Sequence, residues 1–354
     1  MSLHSNIALS QSNPLPEPSP WALCVAPMID VTDRYCRYFH RLLAPKARLY
    51  TEMITTGALQ YGDVERHLRF DSSEHPVALQ LGGSDRDALA HSAKLGEQWG
   101  YDEINLNCGC PSDRVLKGSF GAILMSQPLV VADCIKAMQD AVSVPVTVKH
   151  RMGLDYDDSY GFVHDFVGIL YSVGVRVFIV HARNAVLKGL SPKENRDVPP
   201  LRYDMAAQLR HDFPDATFVL NGGINTAAEV STHLNTFDGV MIGRAAWHTP
   251  AVLSQMHDLI WPSVERLSEA EVVERMHQYL VAEIATGTRP RQIIKAMLGW
   301  AHGRKGARQW RRYLSDPEQM ARNDAAVLLE AWQQLQHAAS SNDGIDSEPP
   351  LTLR

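Results

Sequence analysis

The sequence predicts an α/β fold, a TIM (β/α)8 barrel followed by a small C-terminal all-α helical bundle, and three observations carry that prediction. Short apolar runs alternate with helical patterns from Leu23 to about Trp247, and eight such units in roughly 225 residues match a barrel whose usual length is about 250. Nearly every run ends in a polar or charged residue, at the place where barrels keep their chemistry. No glycine fingerprint follows the first run, where Ala26-Pro27-Met28-Ile29 stands instead. That disfavours the alternative, a doubly wound open sheet.

In chain order the strands are expected at Leu23–Pro27, Leu49–Thr51, Val77–Leu81, Glu103–Asn107, Val146–Lys149, Val177–His181, Phe218–Asn221 and Gly239–Gly243, each a short apolar run. Helical patterns separate most of them, at Asp85–Trp99, Pro128–Ala141, Ser159–Val173 and Thr226–Leu234. Beyond the barrel, Val272, Val273, Met276, Tyr279 and Leu280 recur at helical spacing, as do Val327, Leu328, Trp332 and Leu335. A helical bundle from Ser268 to about His337 follows. The expected division is a disordered leader at 1–20, ending in the proline-rich Asn13–Pro20, a barrel over 21–260, helices over 261–337 and a loose tail over 338–354.

Composition narrows the class. The chain has 354 residues, 45% hydrophobic and 21% charged, an ordinary globular balance. No apolar run is long enough to span a bilayer and no signal-peptide order opens the chain. Five cysteines without disulfide-like spacing suit reduced thiols in a cytoplasm. A net charge of −6 argues against a nucleic-acid partner, but its distribution reverses that. Eight basic residues and no acidic ones lie between Thr286 and Ser315, leaving 26 basic against 40 acidic residues elsewhere. Trp300, Trp310 and Tyr313 interleave with those cations, an arrangement suited to RNA backbone contact with base stacking.

The most informative stretch is Glu103–Lys117, where an apolar strand carrying Ile104 and Leu106 runs into Asn107, Cys108, Gly109, Cys110 and Pro111. Around the same mouth the other strand ends offer Pro27 and Met28, Glu52 and Met53, Gln80, Lys149, His181, Asn221-Gly222-Gly223 and Gly243-Arg244. The last two ends match the phosphate site that barrels build after strands seven and eight, and the arginine fork suits a phosphate. A ligand with its phosphate there and a ring across the mouth would meet Met28, Gln80, Lys149 and His181, which fits FMN. Gln80 would pair with the polar edge of the ring, and Lys149 would hold charge developing on reduction. A zinc reading of Cys108, Cys110 and His150 fails for want of a second Cys/His pair. No nicotinamide fingerprint is present either.

These residues together resemble the dihydrouridine synthase family. The resemblance runs through Ala26-Pro-Met, Tyr50-Thr-Glu-Met, Gln80-Leu-Gly-Gly, Asn105-Leu-Asn-Cys-Gly-Cys-Pro-Ser, Thr147-Val-Lys-His-Arg-Met-Gly, His181-Ala-Arg, Asn221-Gly-Gly-Ile and Gly243-Arg. Ser191–Pro200 and Gly306–Tyr313 resemble the A-type subfamily, which acts on positions 20 and 20a of the tRNA D-loop. The similarity covers about residues 21 to 335. It implies reduction of a uridine C5–C6 double bond, with FMN as cofactor, NADPH as reductant and tRNA as partner. It further implies Cys110 as the general acid, and Pro27, Met28, Gln80, Lys149, His181, Asn221, Gly222, Gly223, Gly243 and Arg244 at FMN. Asn107, Lys193, Arg196, Arg308 and Arg311 fall at tRNA contacts, and no metal is expected. Cys108 departs from the aliphatic residue common at its position. A monomer is the expected oligomeric state.

A thiol of ordinary pKa, about 8.5, is mostly protonated at neutral pH and can serve as an acid. Two other readings stay open on the sequence. A flavin-dependent dehydrogenase of a free pyrimidine or dihydroorotate-type substrate would share barrel and cofactor but leave the basic segment without a purpose. A non-catalytic tRNA-binding protein would need neither flavin nor Cys110.

Overall fold

The computed structural model describes residues 17–112 and 118–340. Most of the expected leader and tail, and Asp113–Lys117 of the Cys110 loop, lie outside the described residues. The strands are β1 (Leu23–Val25), β2 (Leu49–Tyr50), β3 (Ile54–Thr55), β4 (Val77–Gly82), β5 (Glu103–Cys108), β6 (Val146–Arg151), β7 (Val177–His181), β8 (Thr217–Asn221) and β9 (Gly239–Ile242). All pairings are parallel, in the order β1-β9-β8-β7-β6-β5-β4-β2. Cys24 bridges to Arg48, with Val25 N donating to Arg48 O at 2.9 Å, and brings β1 against the start of β2. The ring is a TIM barrel. All eight anticipated strands are present, and Ile54–Thr55 is an addition that pairs beside the end of β4.

Side chains alternate across a strand, so each barrel strand serves two layers. Leu79, Leu81, Ile104, Leu106, Val148, Phe178, Val180, Phe218 and Leu220 belong to the large core shared with the surrounding helices. Cys24, Tyr50, Ala78, Val177, Ile179, Val219 and Met241 form a separate small cluster, on the inward-facing register. The four helices expected from spacing occur at Arg86–Gln98, Pro128–Ala141, Tyr160–Ser172 and Ala227–His233. Asp85, Ser159 and Thr226 each accept a backbone N–H at the helix start, satisfying donors that the first turn leaves orphaned.

The C-terminal helices are Glu269–Ala285, Pro290–Ile294, Ala307–Ser315, Pro317–Ala321 and Ala326–Ser340. Ser268 and Glu271 make a reciprocal capping box at their start. The last helix runs to Ser340, so Ala338–Ser340 are helical rather than part of a loose tail. Trp300 and Trp310 are 2% and 0% exposed. They pack edge-on with centroids 6.0 Å apart, and Trp300 also stacks on Trp332 and meets Phe39 of the barrel helix Arg34–Leu43. This corrects the stacking-platform expectation. The indoles are the core that joins helices to barrel, because a large aromatic surface gains more from burial than from water. Tyr313 is half-buried and its hydroxyl donates to Glu330.

Candidate active site

The C-terminal ends of the strands open on a cavity of about 610 Å3, within the range of small-molecule and cofactor sites. Every residue expected at FMN lines it: Pro27, Met28, Gln80, Lys149, His181, Asn221, Gly222, Gly223, Gly243 and Arg244. Cys110, Asn107 and Arg196 line it too. Lys193, Arg308 and Arg311 do not; Lys193 lies exposed on the loop after β7, and the two arginines sit on helix Ala307–Ser315.

Strand geometry explains the grouping. On β5, Asn105 and Asn107 face inward while Ile104, Leu106 and Cys108 face the helices. Cys108 is wholly buried in that outer layer, and burial pushes its thiol above the ordinary range. It is a packing residue, which accounts for the departure noted in the sequence. Beyond the strand, Asn107 Oδ1 accepts from the backbone N–H groups of Gly109 (3.1 Å) and Cys110 (3.0 Å), and this turn aims Cys110 into the cavity. The Cys110 thiol donates to Ser112 Oγ at 3.6 Å.

Two half-buried bases follow on the next strands, Lys149 as the cross-strand neighbour of Asn107 and His181 on β7. Lys149 Nζ donates to Asn221 Oδ1 at 3.2 Å, and Asn221 Nδ2 donates to Met241 O at 2.7 Å. Burial, then the neighbouring Arg151, pushes Lys149 down to about 7. No carboxylate among the described residues pairs with it. Burial, reinforced by Arg151, Lys149, Arg183 and Arg244, holds His181 well below its usual range and therefore neutral. Gly222 and Gly223 have φ of 110° and 74°, where a side chain is strained. A Cβ at Gly222 would also stand 2.8 Å from His181 Cδ2. Arg244 opens a short helix after Gly243 and pairs with Asp197 at 2.7 Å.

Sequence reasoning missed Arg151 as a cavity residue and left Glu52, named at the mouth, and Lys295, counted in the basic segment, without roles. Arg151 lines the cavity and is held by Gly109 O (3.0 Å) and Asn195 O (2.8 Å), tying the Cys110 turn to the loop after β7. Its signal was available, since it lies two residues beyond Lys149 on the same strand face. Glu52 accepts from Asp30 N at 2.5 Å, and Lys295 pairs with Asp33 at 2.7 Å. Together they anchor the Pro27–Asp33 wall from the barrel and from the C-terminal segment. That pairing joins residues far apart in sequence, and spacing could not show it.

The arrangement brings a thiol, two half-buried nitrogen bases, Gly222, Gly223, Gly243 and Arg244 onto one cavity. The dihydrouridine synthase family profile matches residues 24–339. A tRNA-dihydrouridine(20/20a) synthase of Pseudomonas syringae pv. tomato is 54% identical over 308 residues, 87% of this chain and 92% of that protein. The protein of the same name from Pseudomonas putida is 53% identical over 91% of this chain and 96% of its own length. That from Escherichia coli K12 is 50% identical over 91% and 95%. Among solved structures, morphinone reductase shares the fold with a TM-score of 0.50 at 11% identity, covering 71% of this chain and 88% of that one. With the profile and these relatives spanning nearly the whole chain, the protein belongs to the dihydrouridine synthase family.

Proposed function

We propose that this chain is a tRNA-dihydrouridine synthase that reduces D-loop uridines at positions 20 and 20a, with FMN as cofactor and NADPH as reductant. The observation that carries the reading is the meeting of Cys110, the Gln80–Asn107 amides, Lys149 and the Gly222–Arg244 end on one cavity. The residues fit the flavin. Lys149 is a half-buried amine without an anionic partner among the described residues, and an electron-rich ring would supply one. The open face at Gly243, where a Cβ would meet nothing closer than 4.0 Å, leaves room for a phosphate, which Arg244 would clasp in place of Asp197. Pro27 and Met28, which line the same cavity, would wall the ring, with His181 and Asn221 beside Lys149.

When bound, FMN would supply the hydride that reaches uracil C6, and NADPH the hydride that replaces it. Cys110 holds the second hydrogen. As hydride arrives at C6, the π electrons of C5=C6 shift towards C5 and the C4 carbonyl, and C5 takes the proton from the Cys110 Sγ–H. The thiol regains its proton from solvent when the product leaves. Asn107 fixes the turn that aims the thiol and reaches towards the incoming base. Arg151 ties that turn to the loop of Lys193 and Arg196.

A uridine within a folded tRNA must be extruded to reach this cavity, at a cost of a few kcal/mol. Arg196 at the rim, Lys193 on its loop, and Arg308 and Arg311 on the C-terminal helices would contact the tRNA backbone and offset that cost. In this reading residues 21–260 catalyse and the helices of 261–337 recognise the tRNA. The test is an absorption spectrum of the purified protein followed by NADPH oxidation with and without unmodified tRNA. A yellow protein whose oxidation of NADPH yields dihydrouridine in tRNA supports the reading. A protein that takes up no flavin, or turns over a free pyrimidine instead, overturns it.

A further inference from the structure

The interior of the barrel is not uniformly apolar. On the β4–β6 side it carries an unbroken file of polar side chains, of which Glu103, Asn105 and Thr147 have no place in the chemistry above. Gln80, Asn105 and Thr147 are direct cross-strand neighbours on the inward face. Glu103 lies one inward position below Asn105, and Asn107 one above. Glu103 and Asn105 are fully buried.

The hydrogen bonds run in one direction. Asn107 Nδ2 donates to Gln80 Oε1 (2.8 Å), Gln80 Nε2 to Asn105 Oδ1 (2.7 Å), and Asn105 Nδ2 to Thr147 Oγ1 (2.7 Å). Thr147 then donates to Glu103 Oε1 at 2.5 Å. Both ends dictate this polarity. At the mouth, the backbone N–H groups of Gly109 and Cys110 can only donate, so Asn107 must present its oxygen to them. At the floor, the Glu103 carboxylate can only accept. Around it Tyr50 Oη and Trp21 Nε1 donate at 2.8 Å each, and Arg48 lies 3.2 Å away. An amide turned over anywhere in the file would set donor against donor among buried groups.

We infer that Glu103, Thr147 and Asn105 are positioning residues, which lock Gln80 and Asn107 so that each turns a spare N–H to the cavity and the Cys110 turn stays pinned. Each primary amide has two N–H groups and spends one in the file. Asn107 Oδ1 is filled by two backbone N–H groups, and Gln80 Oε1 holds the Asn107 amide. A ligand atom that meets the spare N–H of either residue must therefore be an acceptor, such as a ring carbonyl oxygen or an unprotonated ring nitrogen. The identity of that ligand as flavin or uracil rests on the function proposed above; the locking of the file does not.

Thr147→Val keeps the side chain's shape and deletes the hydroxyl that links Asn105 to Glu103, while Thr147→Ser keeps the hydroxyl. Amide hydrogen exchange at Gly109 and Cys110 reads the pinning without any ligand. Thr147→Val should lower protection there by roughly tenfold, equivalent to one broken hydrogen bond, and speed alkylation of Cys110 by iodoacetamide. Thr147→Ser should stay within about twofold of the parent on the same scale. In a titration with FMN, affinity should fall about tenfold in the valine variant and recover in the serine variant. If Thr147→Val does not fold, Asn105→Ala cuts the file one bond higher and is read in the same way. Unchanged protection in the cut variant, or an equal loss in Thr147→Ser, overturns the inference. A parent that protects these amides, loses that protection in Thr147→Val and binds no FMN refutes the flavin reading while leaving the locked file standing.

Discussion

The molecule holds its cations in two different ways. At the barrel mouth Lys149 is half-buried and Arg151 buried, and both are fixed, one on the Asn221 amide and the other on the carbonyls of Gly109 and Asn195. On helix Ala307–Ser315, Arg308 and Arg312 are exposed, on a scaffold whose rigidity comes from Trp310 and Leu314 beneath them. A buried cation costs desolvation, which is worthwhile only if one small ligand meets it in fixed geometry. Exposed cations cost little and adapt to a long polyanion whose phosphates need not be placed to a fraction of an ångström. The barrel mouth is built for precision and the helices for reach.

The largest effect expected on this contrast is at the mouth. Cys110→Ala should retain FMN and its reduction by NADPH but lose dihydrouridine formation by about 100-fold or more, the usual worth of a general acid. Cys108→Ala, in the outer layer, should remain active. Tritium release or mass analysis of product tRNA distinguishes them, and the reverse pattern would misplace the acid.

Next in size is the scaffold of the helices. Trp310→Ala should cost about 3–5 kcal/mol of stability by thermal or chemical denaturation. A variant that kept its melting temperature but lost tRNA affinity would restore the stacking-platform reading of the indoles.

A smaller effect tests the buried charge. Lys149 titrates near 7 in the folded chain against an ordinary 10.5. Between these values the unfolded chain holds a proton that the folded chain has released, so this group makes stability rise with pH. Its penalty is complete below about 7 and fades towards 10.5. Lys149→Met should therefore stabilise the flavin-free protein most on the acidic side of neutrality, with the gain shrinking as pH rises. Denaturant titrations of both proteins across that window check it, and a gain independent of pH would contradict the depressed lysine.

The smallest effect per residue belongs to the helix arginines, Arg308 exposed and Arg311 half-buried. Replacing Arg308 and Arg311 together by alanine should reduce the log–log salt slope of tRNA binding by roughly 0.7–0.9 for each phosphate no longer held, with flavin content unchanged. The loop pair splits across the contrast. Lys193→Ala should behave like the helix arginines, whereas Arg196→Ala, on the cavity wall, should also disturb flavin retention. An unchanged slope in the Arg308/Arg311 variant would make those side chains a solvated surface.

Much of this was legible in the sequence, for local reasons. Apolar runs specify buried strands, and a strand's end specifies the mouth, so Gln80, Asn107, Lys149, His181 and Asn221 could be placed without coordinates. What escaped depended on context. Arg151 shares the inward register of Lys149, but a cation beyond the usual end of a strand reads as loop. Trp300 and Trp310 sit among cations in sequence, yet helical geometry turns the charges outward and the indoles inward. The polar file from Glu103 to Asn107 involves three strands and five side chains. Its direction is fixed only by what lies at its two ends.

The most direct test of the central claim is anaerobic. The flavin-loaded protein is reduced with NADPH, freed of excess reductant and mixed with tRNA lacking dihydrouridine, while the flavin absorbance is followed. The account predicts that tRNA reoxidises the flavin, with one dihydrouridine formed for each flavin reoxidised, and that a free pyrimidine does not. Flavin that stays reduced in the presence of tRNA, or is reoxidised equally well by the free base, would contradict it.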